Sequence, residues 1–405
     1  MNQSVVVVGA GLAGGWAART LRDQGHEGRI VLVGNESHAP YERPPLSKGI
    51  LGGSVAPESA TIFAAAVLEE LAIEWRAPVT CMSIDRGERK VLLSDGSAVT
   101  YDKLILCMGG RARPLPVPGA DLPGVFLLRN LDDAHAIASR LEPGKRLVAI
   151  GGGWIGLEVA ATTRLKGLDA TIVEAEDRLC ARTVPPQASS YLLSLHERQG
   201  TLVLLNCGVE RIERGDDGEL AVILKGGRVL PADIVVVGIG LLPNDELARD
   251  AGVECHNGII VDAQGRTSDE RIFAAGDVAL AFNQWYGRRL RLESWQNAQD
   301  QGIAVAKSVL GMDIHYDPLP RFWSDQYHIT IQMLGCLGSE SGARVVREDS
   351  ALGRFMVFCV EDARLQGVLS VNAATDLREA RRIMMTGRPV VADALGDPTF
   401  DLACV

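Results

Sequence analysis

The 405-residue chain is longer than a single hydrophobic core usually supports, so two or three domains are expected. With 47% hydrophobic and 23% charged residues it has a globular profile rather than a disordered or fibrous one. A formal net charge of -10 argues against nucleic acid or an anionic membrane as the main partner, since both favour a basic face. The longest apolar runs, "SVVVVGAGLAGGWAA" and "ADIVVVGIGLLP", are broken by glycines and too short for a membrane span. The start, "MNQS", lacks the basic residues of a signal peptide, so a cytoplasmic address is expected. The eight cysteines are scattered, with no CxxC pair and no metal-ligand spacing, and read as reduced, mostly buried thiols.

In chain order, "SVVVVGAGLAGGWAARTLRDQG" reads as a β-branched strand, a glycine turn and a helix with Trp16, Ala17 and Leu21 on one side. "RIVLVGNE" follows as a second buried strand. "YERPPLSKG", residues 41 to 49, then sets two prolines between Arg43 and Lys48, which leaves both little backbone freedom. "GGRARPLPVPGADLPG", with Pro114, Pro116, Pro118 and Pro123, reads as a stiff crossing between domains. After it the opening grammar returns: "KRLVAIGGGWIGLEVAATTRLKGLDATIVEAE" is again strand, glycine turn, helix and strand. Two such units suggest two dinucleotide-binding domains. "IFAAGDVA" is a short strand ending in a Gly-Asp turn. From residue 321, "FWSDQYHITIQMLG" and "RFMVFCVEDARLQGVLSVN" read as antiparallel strands, and "TDLREARRIMMTG" as a surface helix. The fold class is therefore α/β, with two Rossmann-like dinucleotide-binding domains and a small C-terminal α+β domain.

Gly9, Gly11 and Gly14 match GxGxxG between a strand and a helix, where the backbone can approach a pyrophosphate and the helix N-terminus supplies donors. Glu36, after the second strand, suits ribose hydroxyls. Gly151, Gly153 and Gly156 repeat the pattern, with Glu174 eighteen positions after the last glycine. A carboxylate there accepts from a 2′-hydroxyl and repels a 2′-phosphate, which favours NADH over NADPH. Arg178 and Arg182 weigh the other way, since either can reach a phosphate. Asp277, beside Gly276, suits a ribityl hydroxyl or simply caps a turn.

These signals, in this order, resemble the two-dinucleotide-binding flavoproteins. With "YERPPLSK", "LILCMGGRARPLPVPG", "GGGWIGLEVAA", "GIGLLPN", "ESWQNA" and "FWSDQY", the chain is similar over nearly its whole length to the NADH-dependent ferredoxin reductases of bacterial Rieske-type oxygenase and cytochrome P450 systems. The resemblance implies an FAD-binding domain over residues 1–112 and 246–320, an NADH-binding domain over 113–245 and the C-terminal domain over 321–405. It implies that Gly9, Gly11, Ala13 and Gly14 hold the FAD pyrophosphate, that Arg43 and Lys48 contact the flavin half, and that Val79 borders the adenine. Arg129, Asp277 and Trp295 are implied to touch the same cofactor. Gly151, Gly153, Ile155, Gly156, Glu158, Glu174, Arg182 and Gly240 are implied for NADH. Where the family usually has an acid in "VGD", this chain has Asn35, followed by Glu36.

The likeness implies that FAD takes hydride from NADH and hands single electrons to a ferredoxin that feeds an oxygenase. Disulfide- and peroxide-reducing relatives place cysteine a few residues after the second strand. "HAPYERPPLSKGILGG" has none, so electrons are expected to leave from the flavin edge. Lys48 can favour the reduced ring electrostatically, and Glu158, on the first turn of its helix, is placed to face it. Taken singly, these two read as a surface lysine and a helix-dipole complement. Trp323 reads as strand core, or by resemblance as an indole near the flavin edge. Arg378, Arg381 and Arg382 share one helix face and would suit an acidic ferredoxin. The alternatives are an NADH oxidase or peroxidase, and an NADH-sensing flavoprotein of the apoptosis-inducing type.

Overall fold

Val5–Val8 and Ile30–Val33 are buried on both faces, as expected of strands at the centre of a parallel sheet. The computed structural model describes residues 3–215, 218–337 and 342–405. The chain forms two units, Met1–Arg43 with Pro57–Arg111 and Leu241–Leu319, and Pro44–Ala56 with Ala112–Gly240 and Pro320–Val405. The backbone thus passes from one unit to the other between Arg43 and Pro44, inside the proline motif.

In the first unit a parallel sheet runs Ile272–Ala274, Lys103–Leu106, Val5–Val8, Ile30–Val33, Ile73–Arg76. Alternate residues serve different cores: Val5, Val7 and Leu32 pack on one face, while Val6, Val8 and Val31 pack on the other. The helix Leu12–Asp23 leaves the central strand through the glycine turn and packs against the helix Trp295–Val309. Gly302 lets them close up, because a Cβ there would lie 2.4 Å from the Ala13 carbonyl oxygen.

The second unit repeats the arrangement, in the order Leu202–Leu204, Asp169–Val173, Arg146–Ile150, Ile234–Val237, Val125–Leu127. Each sheet changes direction of winding at its central strand. The glycine turn leaves the carboxyl end of that strand, where open α/β sheets bind ligands. The same unit contains the antiparallel sheet expected from residue 321 onward, in the order Arg321–Gln326, Ile329–Gly335, Arg364–Val371, Arg354–Glu361, Ala343–Asp349. Its surface helix, Ala374–Thr386, buries Leu377, Ala380, Ile383 and Met384 and ends on Gly387 in the left-handed region.

The proline motif is a tight turn: Pro44–Ser47 forms a 3₁₀ helix and Gly49–Gly52 a short α-helix. It is fastened along one face of the helix Trp154–Leu165 and its C-cap Lys166. Thr162 donates to the Ser47 carbonyl at 2.8 Å, and Lys166 to the Gly52 carbonyl at 3.3 Å. No helix of the described residues is long and apolar enough to cross a membrane.

Candidate functional site

The two glycine turns have the same division of labour. Gly9 and Gly151 have φ of 106° and 108°, a region that favours glycine. A Cβ on Gly9 would lie 2.3 Å from the Cys107 carbonyl oxygen, and one on Gly14 would lie 1.8 Å from that of Gly9. In the second turn the corresponding distances are 2.5 Å from Gly151 to Gly238 and 2.0 Å from Gly156 to Gly151. The middle glycines differ. A Cβ on Gly11 would meet nothing within 4 Å, and one on Gly153 only the Gly238 oxygen at 3.8 Å. Both are helix N-caps without a side-chain acceptor, so the first helical N–H groups are left to an outside partner. Packing explains the outer glycines, and space kept for an anion explains the middle ones. A dinucleotide fits both turns on this test.

Around the first turn, Glu36 is held rather than free: Arg43 donates to one carboxylate oxygen at 2.7 Å and Tyr41 to the other. Burial would lower the Arg43 pKa, but Tyr41 and Glu36 outweigh it, with Asp277 adding to the effect, and the net direction is upward. Arg43, Glu36 and Asp277 therefore form one charged group in the first unit. Gly276 brings Asp277 to the turn, its φ of 79° allowing a position where a Cβ would lie 2.9 Å from Ala13. Val79 donates its N–H to the Gly34 carbonyl at 2.7 Å, beside exposed Asn35. Trp295 opens the helix Trp295–Val309, capped by Ser294.

At the second turn, the Glu174 carboxylate accepts from the backbone N–H of Gly152 at 2.6 Å and of Glu176 at 2.9 Å. Both bonds orient it and leave lone pairs for an outside donor. Arg178 is spent inside the protein, on the carbonyls of Val184 and Ala181, both at 2.7 Å, and on the Ser189 hydroxyl. Arg182 is exposed and packs on Gly240, where a Cβ would lie 3.1 Å from its guanidinium. Ile155 is exposed at the second helical position, and the Arg129 N–H donates to Asp133 at 2.8 Å, just before a capping box.

Lys48 Nζ lies 2.8 Å from Glu158 Oε2 and also donates to the Pro44 carbonyl at 3.1 Å. Glu158 is the fifth residue of its helix, in the second turn rather than the first, so it does not serve the helix N-terminus. It is 4% exposed and accepts from Ser47 and, at 2.6 Å, from Ser324. Composition gave no sign of these two serines. "FWSDQY" did carry one clue, three consecutive polar residues, Ser324 to Gln326, on a strand that should be core. Phe322, Ser324 and Gln326 face the helices, with Phe322 against Trp154 at 5.0 Å between rings, while Trp323 belongs to the opposite face of the strand.

Thiols near these groups are unreactive by environment: burial pushes Cys107 up to about 12 and also raises Cys180, where Glu174 adds to the effect. Of the three arginines expected as a patch, Arg378 and Arg381 are exposed. Arg382 is committed to Glu379 at 2.8 Å and to the carbonyls of Leu402, Ala403 and Val405.

The pyridine nucleotide-disulphide oxidoreductase model matches residues 3–302, and a reductase C-terminal domain model matches residues 321–405. The rhodocoxin reductase of Rhodococcus erythropolis is 43% identical over 98% of this chain and 93% of its own. The ferredoxin–NAD(+) reductase component of the anthranilate 1,2-dioxygenase system of Burkholderia cepacia is 39% identical, over 98% of each. The crystal structure of the covalent putidaredoxin reductase–putidaredoxin complex includes a chain that superposes with a TM-score of 0.94 at 37% identity, covering 99% of this chain and 97% of that one. With two glycine turns built for dinucleotides and a C-terminal sheet that carries the reductase signature, the chain belongs to the pyridine nucleotide-disulphide oxidoreductase family, in its branch of NAD-dependent ferredoxin reductases.

Proposed function

We propose that this protein passes electrons from NADH, through FAD, to a small iron–sulfur ferredoxin that supplies an oxygenase. The observation that carries the reading is the repeated glycine turn, whose middle glycine in each case faces open space at an uncapped helix N-terminus. FAD bound at the first turn would supply the conversion between a two-electron hydride donor and a one-electron acceptor. Gly9, Gly11, Ala13 and Gly14 hold its pyrophosphate. Asn35, Glu36, Arg43, Val79, Arg129, Asp277 and Trp295 take the remaining FAD contacts, and Trp323 shields the reacting edge. Gly151, Gly153, Ile155, Gly156, Arg182 and Gly240 receive NADH, with the oriented Glu174 carboxylate on its adenosine ribose. The FAD half comprises 1–112 and 246–320, the NADH half 113–245, and the remainder is the C-terminal domain.

Lys48 is the group we assign to the reacting ring. Its ammonium, held by Glu158 and the Pro44 carbonyl, favours negative charge developing beside it. No cysteine lies between His38 and Gly53, and the buried Cys107 thiol stays protonated, so no thiol stores the electrons. The acceptor is then the ferredoxin itself, and the cytoplasm is the compartment.

Anaerobic NADH titration, followed by addition of [2Fe–2S] ferredoxins, tests this. Flavin absorbance should bleach on NADH and recover on ferredoxin, and Lys48→Met should slow the bleaching about tenfold or more while the fold is kept. Bleaching followed by oxidation faster by oxygen or peroxide than by any ferredoxin would instead make it an oxidase or peroxidase.

A further inference from the structure

A second set of buried polar side chains runs from Glu158 away from Lys48. Ser324 Oγ is 2.6 Å from Glu158 Oε1, and Gln326 Nε2 is 3.1 Å from Ser324 Oγ. Gln326 Oε1 is 2.9 Å from His196 Nε2, whose Nδ1 is 3.1 Å from the Tyr327 hydroxyl. Thr201 Oγ1 closes the series, 3.1 Å from the same hydroxyl. Ser324 and His196 are 0% exposed, and Gln326 is 1% exposed.

The chemistry of the groups gives this series one direction. Glu158, paired with a lysine, only accepts. Ser324 must therefore give it its single proton, and so accepts from the Gln326 amide nitrogen. The Gln326 oxygen is then turned to His196, which must donate from Nε2. A neutral imidazole with its proton on Nε2 presents Nδ1 as an acceptor, and the Tyr327 hydroxyl fills it while accepting from Thr201. Burial supports the neutral ring, pushing the His196 pKa down to about 4. Every member is satisfied by one arrangement of protons, and all of them donate toward the carboxylate.

We propose that Ser324, Gln326 and His196 are positioning residues for the Lys48–Glu158 pair. The series fixes the Glu158 carboxylate in one rotamer, and that carboxylate fixes the ammonium of a side chain with four rotatable bonds and much entropy to lose. The inference rests on the role assigned to Lys48 above. Removing the Ser324 hydroxyl leaves a buried carboxylate oxygen without its donor and frees the pair to shift.

Holoenzyme carrying Ser324→Ala, Gln326→Leu, Lys48→Met, or Lys48→Met with Ser324→Ala tests the proposal. Stopped-flow reduction by NADH, the midpoint potential of the bound FAD and ¹⁵N shifts of the His196 ring at pH 7 are the readouts. Ser324→Ala should slow reduction about tenfold with NADH affinity unchanged, and move the potential in the same negative direction as Lys48→Met. It should add little to Lys48→Met, since the two act through one path. The His196 ring should report the neutral Nε2–H tautomer in the wild type and lose that preference in Gln326→Leu. The proposal is overturned if Ser324→Ala and Gln326→Leu lower only thermal stability, leaving rate and potential unmoved, or if Ser324→Ala and Lys48→Met add in full. An active Lys48→Met beside a silent Ser324→Ala removes the positioning role alone, whereas a silent Lys48→Met removes the assigned role of Lys48 and this inference with it.

Discussion

Gly11 and Gly14 stand three residues apart in one motif and answer to different constraints. A Cβ on Gly14 would overlap the Gly9 carbonyl, so Gly14→Ala should disturb the strand-to-helix turn itself. On Gly11 the same Cβ points into open space. Gly11→Ala should therefore lower the thermal stability of the apoprotein by no more than about 1 kcal/mol, the difference between glycine and alanine as a helix N-cap, while FAD retention falls sharply. Gly153→Ala should do the converse, keeping FAD and weakening NADH. Apoprotein melting with FAD and NADH binding isotherms checks both. Loss of FAD from Gly153→Ala, or loss of fold from Gly11→Ala, would refute the division of roles.

At the scale of elements, the Arg321–Gln326 strand meets two helices because their repeats match. Two strand residues advance about 6.7 Å and four helical residues about 6 Å, so Phe322 and Ser324 meet Trp154 and Glu158 in step. Gln326 then falls on His196, from the helix Pro186–Arg198. Burial of this ring makes stability pH-dependent, the Gln326 contact offsetting only part of the effect. The unfolded imidazole takes a proton near its ordinary value of 6.5, while the folded ring resists until about 4. Stability from this source is complete above pH 6.5 and is lost as pH falls toward 4, about 2 kcal/mol of it by pH 5. Urea unfolding midpoints at pH 7 and pH 5 should diverge in the wild type, and by less in His196→Gln. Equal divergence in both would show that other groups set the slope.

For the molecule as a whole, a net charge of -10 means that a basic patch is a local exception. Arg378 and Arg381 are exposed on the Ala374–Thr386 helix, whereas Arg382 ties down the C-terminal residues. If the two exposed arginines steer an acidic ferredoxin, replacing both with Ala should raise the KM for ferredoxin several-fold at low salt and little at high salt. NADH-to-ferricyanide turnover should stay unchanged. Arg382→Ala should act instead on stability, because Glu379 and the carbonyls of Leu402, Ala403 and Val405 lose its guanidinium, although Val405 keeps Arg388.

Much of this protein is written locally. Each glycine turn occupies six residues between a β-branched run and a helix, so strand, turn and ligand-binding end are legible together from adjacent positions. The resemblance to ferredoxin reductases rests on such local motifs, and the family comparison agrees with it. Tertiary structure alone decided which side chains meet. Ser47 and Ser324 reach Glu158 from 111 and 166 residues away, and Gln326 reaches His196 from 130. It also separated Arg178 and Arg382, consumed by backbone carbonyls, from Arg182, Arg378 and Arg381, which share their residue type and remain exposed. Sequence spacing sets helix and strand faces, but a hydrogen bond between distant elements depends on how those faces are brought together, and no local pattern encodes that.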